Sequence, residues 1–262
     1  MVAAGNDFVI SEAKSQKPKA KSLSILAKDI CDRKFGAGAD GLLWLEKSRK
    51  ADLRMRIFNA DGSEAQMCGN GARCIALYKA KSKKQKAKIK IETKAGIIDS
   101  EINGDSVKIK LTNPKAIKLD VPVKVGGRQI KVNFINTGVP HAVIFTQGLE
   151  KIDILPLGRA LRYHKEFSPC GTNVDFIEIL SSNSIRIRTY ERGVEDETLA
   201  CGTGSVAAAL IFSLKTGAGG KVFVHTQSGE ILKVYFKKSG ERFIDVWLEG
   251  KTKKAYEGVY YV

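Results

Sequence analysis

The chain has 262 residues, 43% hydrophobic and 27% charged, an ordinary globular balance that excludes wholesale disorder. Lys and Arg total 44 against 28 Asp and Glu, a formal net charge of +16. No run of 18 apolar residues is present, residues 1–10 lack the basic-then-apolar pattern of a signal peptide, and five cysteines are an odd number; a membrane span, a leader and a disulfide framework are therefore not expected, and reduced thiols in a cytoplasmic setting are.

In chain order, residues 22–33 read as a surface helix with Ser22 at the N-cap. Residues 72–81 lack strand alternation and read as a second helix. Residues 79–90 carry seven lysines in twelve positions with no aromatic among them. Without a base-stacking platform this predicts a solvated segment and no nucleic-acid partner. Lys88-Ile-Lys-Ile-Glu-Thr and Val107-Lys-Ile-Lys-Leu alternate apolar and polar residues, the period of a half-buried strand. Asn113-Pro114 is a turn signal. Ile185-Arg-Ile-Arg-Thr-Tyr, Val222-Phe-Val-His and Ile231-Leu-Lys-Val-Tyr-Phe again alternate. Residues 205–214, between them, are so apolar that they predict a helix buried all round.

A repeat organises these elements. Cys68-Gly69-Asn70-Gly71 recurs as Cys201-Gly202-Thr203-Gly204, 133 residues later. Thr93 and Gly96 recur as Thr226 and Gly229, Gly38 and Asp40 as Gly171 and Asn173, and Gly5 as Gly138, all at the same offset. Phe58-Asn59 falls opposite Tyr190-Glu191 at 132, so one residue is gained before the second cysteine. Matches in constant order predict two similar halves of about 130 residues. The turn at Asn113-Pro114 sets the boundary, giving halves of residues 1–113 and 114–251. The fold expected is α/β (α+β): two pseudo-symmetric domains, each a β-rich mixed sheet wrapped around a central helix.

A cysteine at a helix start lies beside unsatisfied N–H groups and the positive end of the macrodipole, which predicts a lowered thiol pKa. The glycines admit a ligand close to the backbone, where free N–H groups suit a carboxylate. With one thiol per half, two halves facing across a pseudo-twofold axis place a thiol on each face of one carbon. One thiolate removes a proton and the other thiol returns one. Cys31 and Cys74 read as core, and Cys170 lies in a turn. The absence of a Cys-x-x-Cys pair argues against zinc, and the Gly-x-Gly elements lack the context of a dinucleotide site. Asn59, Glu191 and Arg192 precede the two cysteines by nine or ten residues. Arg192 could grip a carboxylate bidentately. His141 is expected in a turn aligned with the Gly5-Asn6 turn, where it or an acid beside a thiol would tune its proton affinity.

Gly5-Asn-Asp-Phe-Val, Gly36-Ala-Gly-Ala-Asp-Gly, Phe58-Asn-Ala-Asp-Gly-Ser-Glu, Met67-Cys-Gly-Asn-Gly-Ala-Arg-Cys, Glu191-Arg-Gly-Val and Thr198-Leu-Ala-Cys-Gly-Thr-Gly together resemble the diaminopimelate epimerase family, in order over most of the chain. The resemblance implies a cofactor-free, cytoplasmic epimerase interconverting LL- and meso-diaminopimelate, in lysine and peptidoglycan-precursor biosynthesis. It implies a substrate cleft between the halves, a final strand over about 252–262 crossing back to the first half, and a homodimer by base rate. Carried over by motif, Cys68 and Cys201 are the acid/base pair and His141 and Glu191 modulate the thiols. Asn6, Asn59, Asn173, Glu191 and Arg192 contact substrate, as do Gly69, Asn70, Gly202 and Thr203, mostly through backbone N–H groups. No metal is implied.

Two departures stand out. Val139 occupies the place of a family asparagine, and because valine neither donates nor accepts, a relaxed substrate choice is expected. The chain is also short before Gly5-Asn6. Related cofactor-independent racemases acting on proline or hydroxyproline are the nearest alternative, with glutamate or aspartate racemisation as a side activity. Asn70 and Leu199-Ala200 favour diaminopimelate. A basic binding protein on a relic enzyme fold is disfavoured by the retention of both thiols.

Overall fold

The computed structural model describes residues 1–12, 20–80, 87–240 and 242–261. The chain divides into two compact units, Met1–Lys110 with Glu249–Val262, and Leu111–Leu248. The return to the first unit is made within the strand Arg242–Lys251 and by a single bridge from Lys253 to Val2. The expected strand is not formed over the described residues 254–261, which are irregular, and the Tyr256 hydroxyl donates to the carbonyl of Ala37 at 3.3 Å. The pairing needed to bring the chain back is complete before that tail begins.

In the first unit, Val2–Ala3 folds onto Asn6–Glu12 through a two-residue turn, Ala4 and Gly5, both at positive φ. That turn geometry matches the twist of a tight hairpin, and Gly5 supplies it without a side-chain clash. Asn6–Glu12 then pairs in parallel with Gly41–Glu46, which pairs antiparallel with Leu53–Asn59. Leu53–Asn59 pairs in parallel with Ala87–Thr93, followed by the antiparallel strands Gly96–Asn103 and Ser106–Lys110. Parallel neighbours need a crossover, and helices supply both. They are α1, Ala20–Cys31, and α2, Gly69–Ala80.

The second unit repeats this order. Lys115–Val125 and Arg128–Asn136 form a hairpin, and Arg128–Asn136 pairs antiparallel with Pro140–Phe145. Pro140–Phe145 pairs in parallel with Asn173–Ser181, which pairs antiparallel with Ser184–Glu191. Ser184–Glu191 pairs in parallel with Lys221–His225, and Ile231–Ser239 follows antiparallel. The crossovers are α3, Ile154–Arg162, and α4, Gly202–Thr216. Every residue of α4 from Gly204 to Ser213 is buried, as its all-apolar sequence requires. Each Leu, Ile or Phe buried there contributes about 1.5–3 kcal/mol of transfer free energy.

One local expectation changes, the cap of the first helix. The first helix begins at Ala20, so Ser22 lies inside its first turn. That helix buries Leu23, Ala27, Ile30 and Cys31 against Trp44 and Phe58, so one face is core. Helix α3 was unmarked in sequence because Pro156 and Gly158 break its pattern, but Leu161 and Ile154 anchor it. Of the lysine-rich segment, residues 81–86 lie outside the described residues.

Candidate active site

In the second unit, Cys201 is the N-cap residue of α4, with extended backbone at φ −110° and ψ 116°. Its carbonyl accepts from the N–H and the hydroxyl of Ser205, each at 2.9 Å, which anchors the first turn. The thiol is buried, and its Sγ lies 3.4 Å from the Thr203 hydroxyl. Thr203 Oγ1 is in turn 3.0 Å from His141 Nε2, and His141 Nδ1 is 2.7 Å from Asp175 Oδ2. The other oxygen of Asp175 accepts from the Thr189 hydroxyl at 2.8 Å. Asp175 and His141 are both fully buried.

His141 is not in a turn. It is the second residue of the strand Pro140–Phe145, paired with Asn173. The turn is Thr137 to Val139, one residue before that strand, closed by the Thr137 N–H donating to the Val139 carbonyl. Asn173 holds this corner together. Its Oδ1 accepts from the Arg192 N–H at 2.8 Å, its Nδ2 donates to the Pro140 carbonyl at 3.2 Å, and Nδ2 lies 3.5 Å from His141 Nε2. Arg192 Nη1 donates to the Cys170 carbonyl at 3.0 Å. Glu191 Oε2 accepts from the Thr198 hydroxyl at 3.0 Å.

The electrostatics reverse one expectation. Burial pushes the Cys201 thiol well above its ordinary pKa, and the negative charges of Glu191 and Asp175 push the same way. The Thr203 hydroxyl and the Gly204 N–H act in the opposite sense but do not prevail. A helix N-terminus favours a thiolate only while water or cations share the charge; desolvation beside two carboxyls wins here. Glu191 is also raised, first by burial, with Asp175 adding to it and the Thr198 hydroxyl opposing.

In the first unit, Cys68 is half-buried and directly precedes α2, and its carbonyl accepts from the Ala72 N–H at 2.9 Å. Asn70 is buried in the first turn and donates to Asn6, while its Oδ1 accepts from the buried Arg73 at 2.7 Å. Asn6 donates onward to Asp40, and Arg33 grips Asp7 and Asp40 together. Asn59 ends the strand Leu53–Asn59 and donates to the Ser63 hydroxyl at 2.9 Å. The first unit thus joins Asn6 to Asn70; the second joins Cys201, Thr203, His141 and Asn173 in one network, with Arg192 and Glu191 at its edge.

The registers equate positions between the units. Phe8 opposes Gly41 as His141 opposes Asn173, and two residues on, Leu43 opposes Ile57 as Asp175 opposes Thr189, so Asn173 answers to Gly41 and not, as the offset of 133 suggests, to Asp40. The glycines agree. A Cβ on Gly71 would meet Leu43 and Ile57, and one on Gly204 would lie 2.5 Å from Asp175. Arg56 forks onto Glu64 as Arg188 forks onto Glu197. The gained residue lies in the turn between: Gly62 closes onto Asn59 three residues back, whereas Glu195 closes onto Glu191 four back. Asp175 and Thr189 were missed in sequence. A carboxylate inside the apolar run Val174 to Ile177 was the available signal. The cluster is rich in ligand types, yet no group of three or more His, Cys, Asp or Glu among the described residues is placed to hold a metal ion.

The family described as Diaminopimelate epimerase matches residues 1–118 and 133–253. A protein named diaminopimelate epimerase from Aquifex aeolicus (strain VF5) is 40% identical over 265 residues, covering 97% of this chain and 94% of its own. One of the same name from Archaeoglobus fulgidus is 39% identical over 274 residues, covering 97% and 92%. Among solved structures, a Bacillus anthracis phenazine biosynthesis protein of the PhzF family has a TM-score of 0.71 at 19% identity, covering 95% of this chain and 91% of its own. A hydroxyproline epimerase from Agrobacterium vitis, with bound trans-4-hydroxy-L-proline, has a TM-score of 0.70 at 16% identity, covering 95% and 86%. At such identities these two show a shared fold.

Proposed function

The chain belongs to the diaminopimelate epimerase family of isomerases, and from that premise we propose that it interconverts LL- and meso-diaminopimelate with Cys68 and Cys201 as its two bases. The observation that carries this reading is the repetition of one device, a cysteine immediately before a glycine-opened helix, once in each unit. A two-base epimerisation needs one proton acceptor and one donor, and the roles exchange with direction. Burial beside Glu191 and Asp175 favours the protonated form of Cys201. Two thiols serving one carbon would also be inactivated by oxidation to a disulfide and restored by reduction.

The substrate contacts follow the same premise. The first-turn N–H groups beside Gly69, Asn70, Gly202 and Thr203 are placed at helix starts, where a carboxylate is stabilised. Asn6, Asn59, Asn173, Glu191 and Arg192 are the polar side chains around them. The reaction needs no bound cofactor in this scheme, takes place in the cytoplasm, and is carried out by a homodimer. Incubating the reduced protein with LL-diaminopimelate in D₂O tests the reading. Meso product carrying deuterium at the inverted α-carbon is expected. A reduced, folded sample that neither exchanges nor inverts the substrate overturns it.

A further inference from the structure

The buried chain behind Cys201 has a direction that the geometry determines. Asn173 sets it. Its Oδ1 accepts from a backbone N–H and its Nδ2 donates to a backbone carbonyl, so the amide has one orientation. Nδ2 is therefore the group facing His141 Nε2. A donor on that side makes Nε2 an acceptor, and the carboxylate on the other side makes Nδ1 the protonated nitrogen. With Nε2 accepting, the Thr203 hydroxyl donates to it, and Thr203 Oγ1 is left to accept from the Cys201 thiol.

We propose that Asp175 is a positioning residue for the reaction, fixing His141 as its Nδ1–H tautomer so that Nε2 receives the Cys201 proton through the Thr203 hydroxyl. The proposal rests on the epimerase reading for the step it serves. In the direction that needs Cys201 as base, Cys68 starts as the thiol that returns a proton, and the Cys201 thiol proton passes to Thr203 Oγ1 while the Thr203 hydroxyl proton passes to His141 Nε2. An S–H and an O–H bond break, and an O–H and an N–H bond form. The products are a thiolate, an intact hydroxyl and an imidazolium facing Asp175. No other reactant is consumed. Asp175 touches no substrate; it acts through His141, as a buried carboxylate orients an imidazole for proton transfer elsewhere.

Three features show that this carboxylate is built in. It is fully buried, both oxygens are engaged, and Gly204 leaves the space it occupies, since a Cβ there would lie 2.5 Å from Oδ1. The equivalent position in the first unit is Leu43. The titratable groups facing this chain are Glu191, at the end of the neighbouring strand Ser184–Glu191, and Cys201 itself.

The test is nitrogen NMR on full-length protein labelled with ¹⁵N-histidine, with His141→Gln assigning its signal among the three histidines. At neutral pH the wild type is expected to show His141 protonated at Nδ1 and bare at Nε2. Asp175→Asn should move protonation toward Nε2 and lower kcat by about 10- to 100-fold, with KM within about twofold. If Asp175→Asn fails to fold, Thr203 carries the test. Thr203→Val should lose kcat similarly while His141 keeps its Nδ1 proton, and Thr203→Ser, which restores the hydroxyl, should stay within about threefold of wild type. A wild-type His141 protonated at Nε2 overturns the proposal, as does Asp175→Asn or Thr203→Val turning over at the wild-type rate. A wild type that does not act on diaminopimelate sinks the epimerase reading instead; the tautomer measurement decides the hold of Asp175 on His141 without turnover.

Discussion

The N-termini of α2 and α4 are built on the same backbone and walled by different chemistry. Behind α2 stand Leu43 and Ile57, with Phe8 at the position of His141. Behind α4 stand Asp175, Thr189 and His141, hydrogen-bonded to one another. Cysteine, glycine and register are kept in both, so duplication preserved the element that presents a thiol and a row of N–H groups. The wall behind it diverged. The wall against Gly71 is hydrocarbon, and the wall against Gly204 is a hydrogen-bonded network of Asp175, His141 and Thr189.

The sharpest test is to remove each thiol in turn. Cys68→Ser and Cys201→Ser should each lower kcat by about 10³-fold or more, because a hydroxyl of far higher pKa is a poor base. The double variant should be little worse than either single one, since a two-base cycle stops when one member is lost. Steady-state assay in both directions checks this. If one single variant kept more than about a tenth of the wild-type kcat, the two units would not share the reaction.

Next in size is the transfer of one wall to the other unit. Leu43→Asp places a carboxylate behind α2 where Phe8 and Ile57 offer no partner. An unpaired buried charge of this kind should cost about 3–5 kcal/mol, read as a lowered urea midpoint with unchanged slope. A cost below about 1 kcal/mol would mean that water or a rearranged side chain reaches this wall.

The sequence discloses the shared part of this comparison and conceals the divergent part, for a physical reason. The offset of 133 is set by chain connectivity, and the all-apolar residues 205–214 can only be a buried helix, so the repeat, the central helices and the thiol motifs are legible. Asp175 is not. Its role depends on Gly204, 29 residues later, leaving room for it, and on His141, 34 residues earlier, facing it across a parallel pair of strands. The alignment of Gly138 with Gly5 locates the turn but not its end, and the strand that holds His141 begins at Pro140. The lowered pKa expected for Cys201 failed because desolvation cannot be read from a helix-start motif.

The two helix glycines allow a milder comparison. Gly204→Ala brings a methyl to 2.5 Å from Asp175 Oδ1, and that oxygen is held by Thr189 while its twin is held by His141. Displacing the carboxylate should cost about 2 kcal/mol even after the roughly 1 kcal/mol that alanine gains over glycine in a helix. Gly71→Ala crowds the end of Leu43 at 3.0 Å, which can turn aside, and touches Ile57 at an ordinary 3.6 Å. The gain and the crowding should then nearly cancel, within about 0.5 kcal/mol. Chemical denaturation of the two variants side by side decides the matter. Equal losses would remove the distinction between a fixed polar wall and a yielding apolar one.

The smallest expected effect concerns what the units share, the arginine fork behind the cysteine loops. Arg56 holds Glu64 by two hydrogen bonds and Lys94 adds a third contact, and together they bring the Glu64 pKa from 4.5 down to about 2. A carboxyl with a depressed folded-state pKa lends stability above its unfolded pKa and loses it as the pH falls through the folded value. Glu64→Gln should therefore be about 1 kcal/mol less stable than wild type at neutral pH. The gap should begin to shrink below about pH 4.5 and close by about pH 2. Urea unfolding across that range measures it. A gap that stays constant with pH would show that the fork contributes packing and not charge, and would leave Arg188 and Glu197 as the better place to look for an electrostatic role in the shared scaffold.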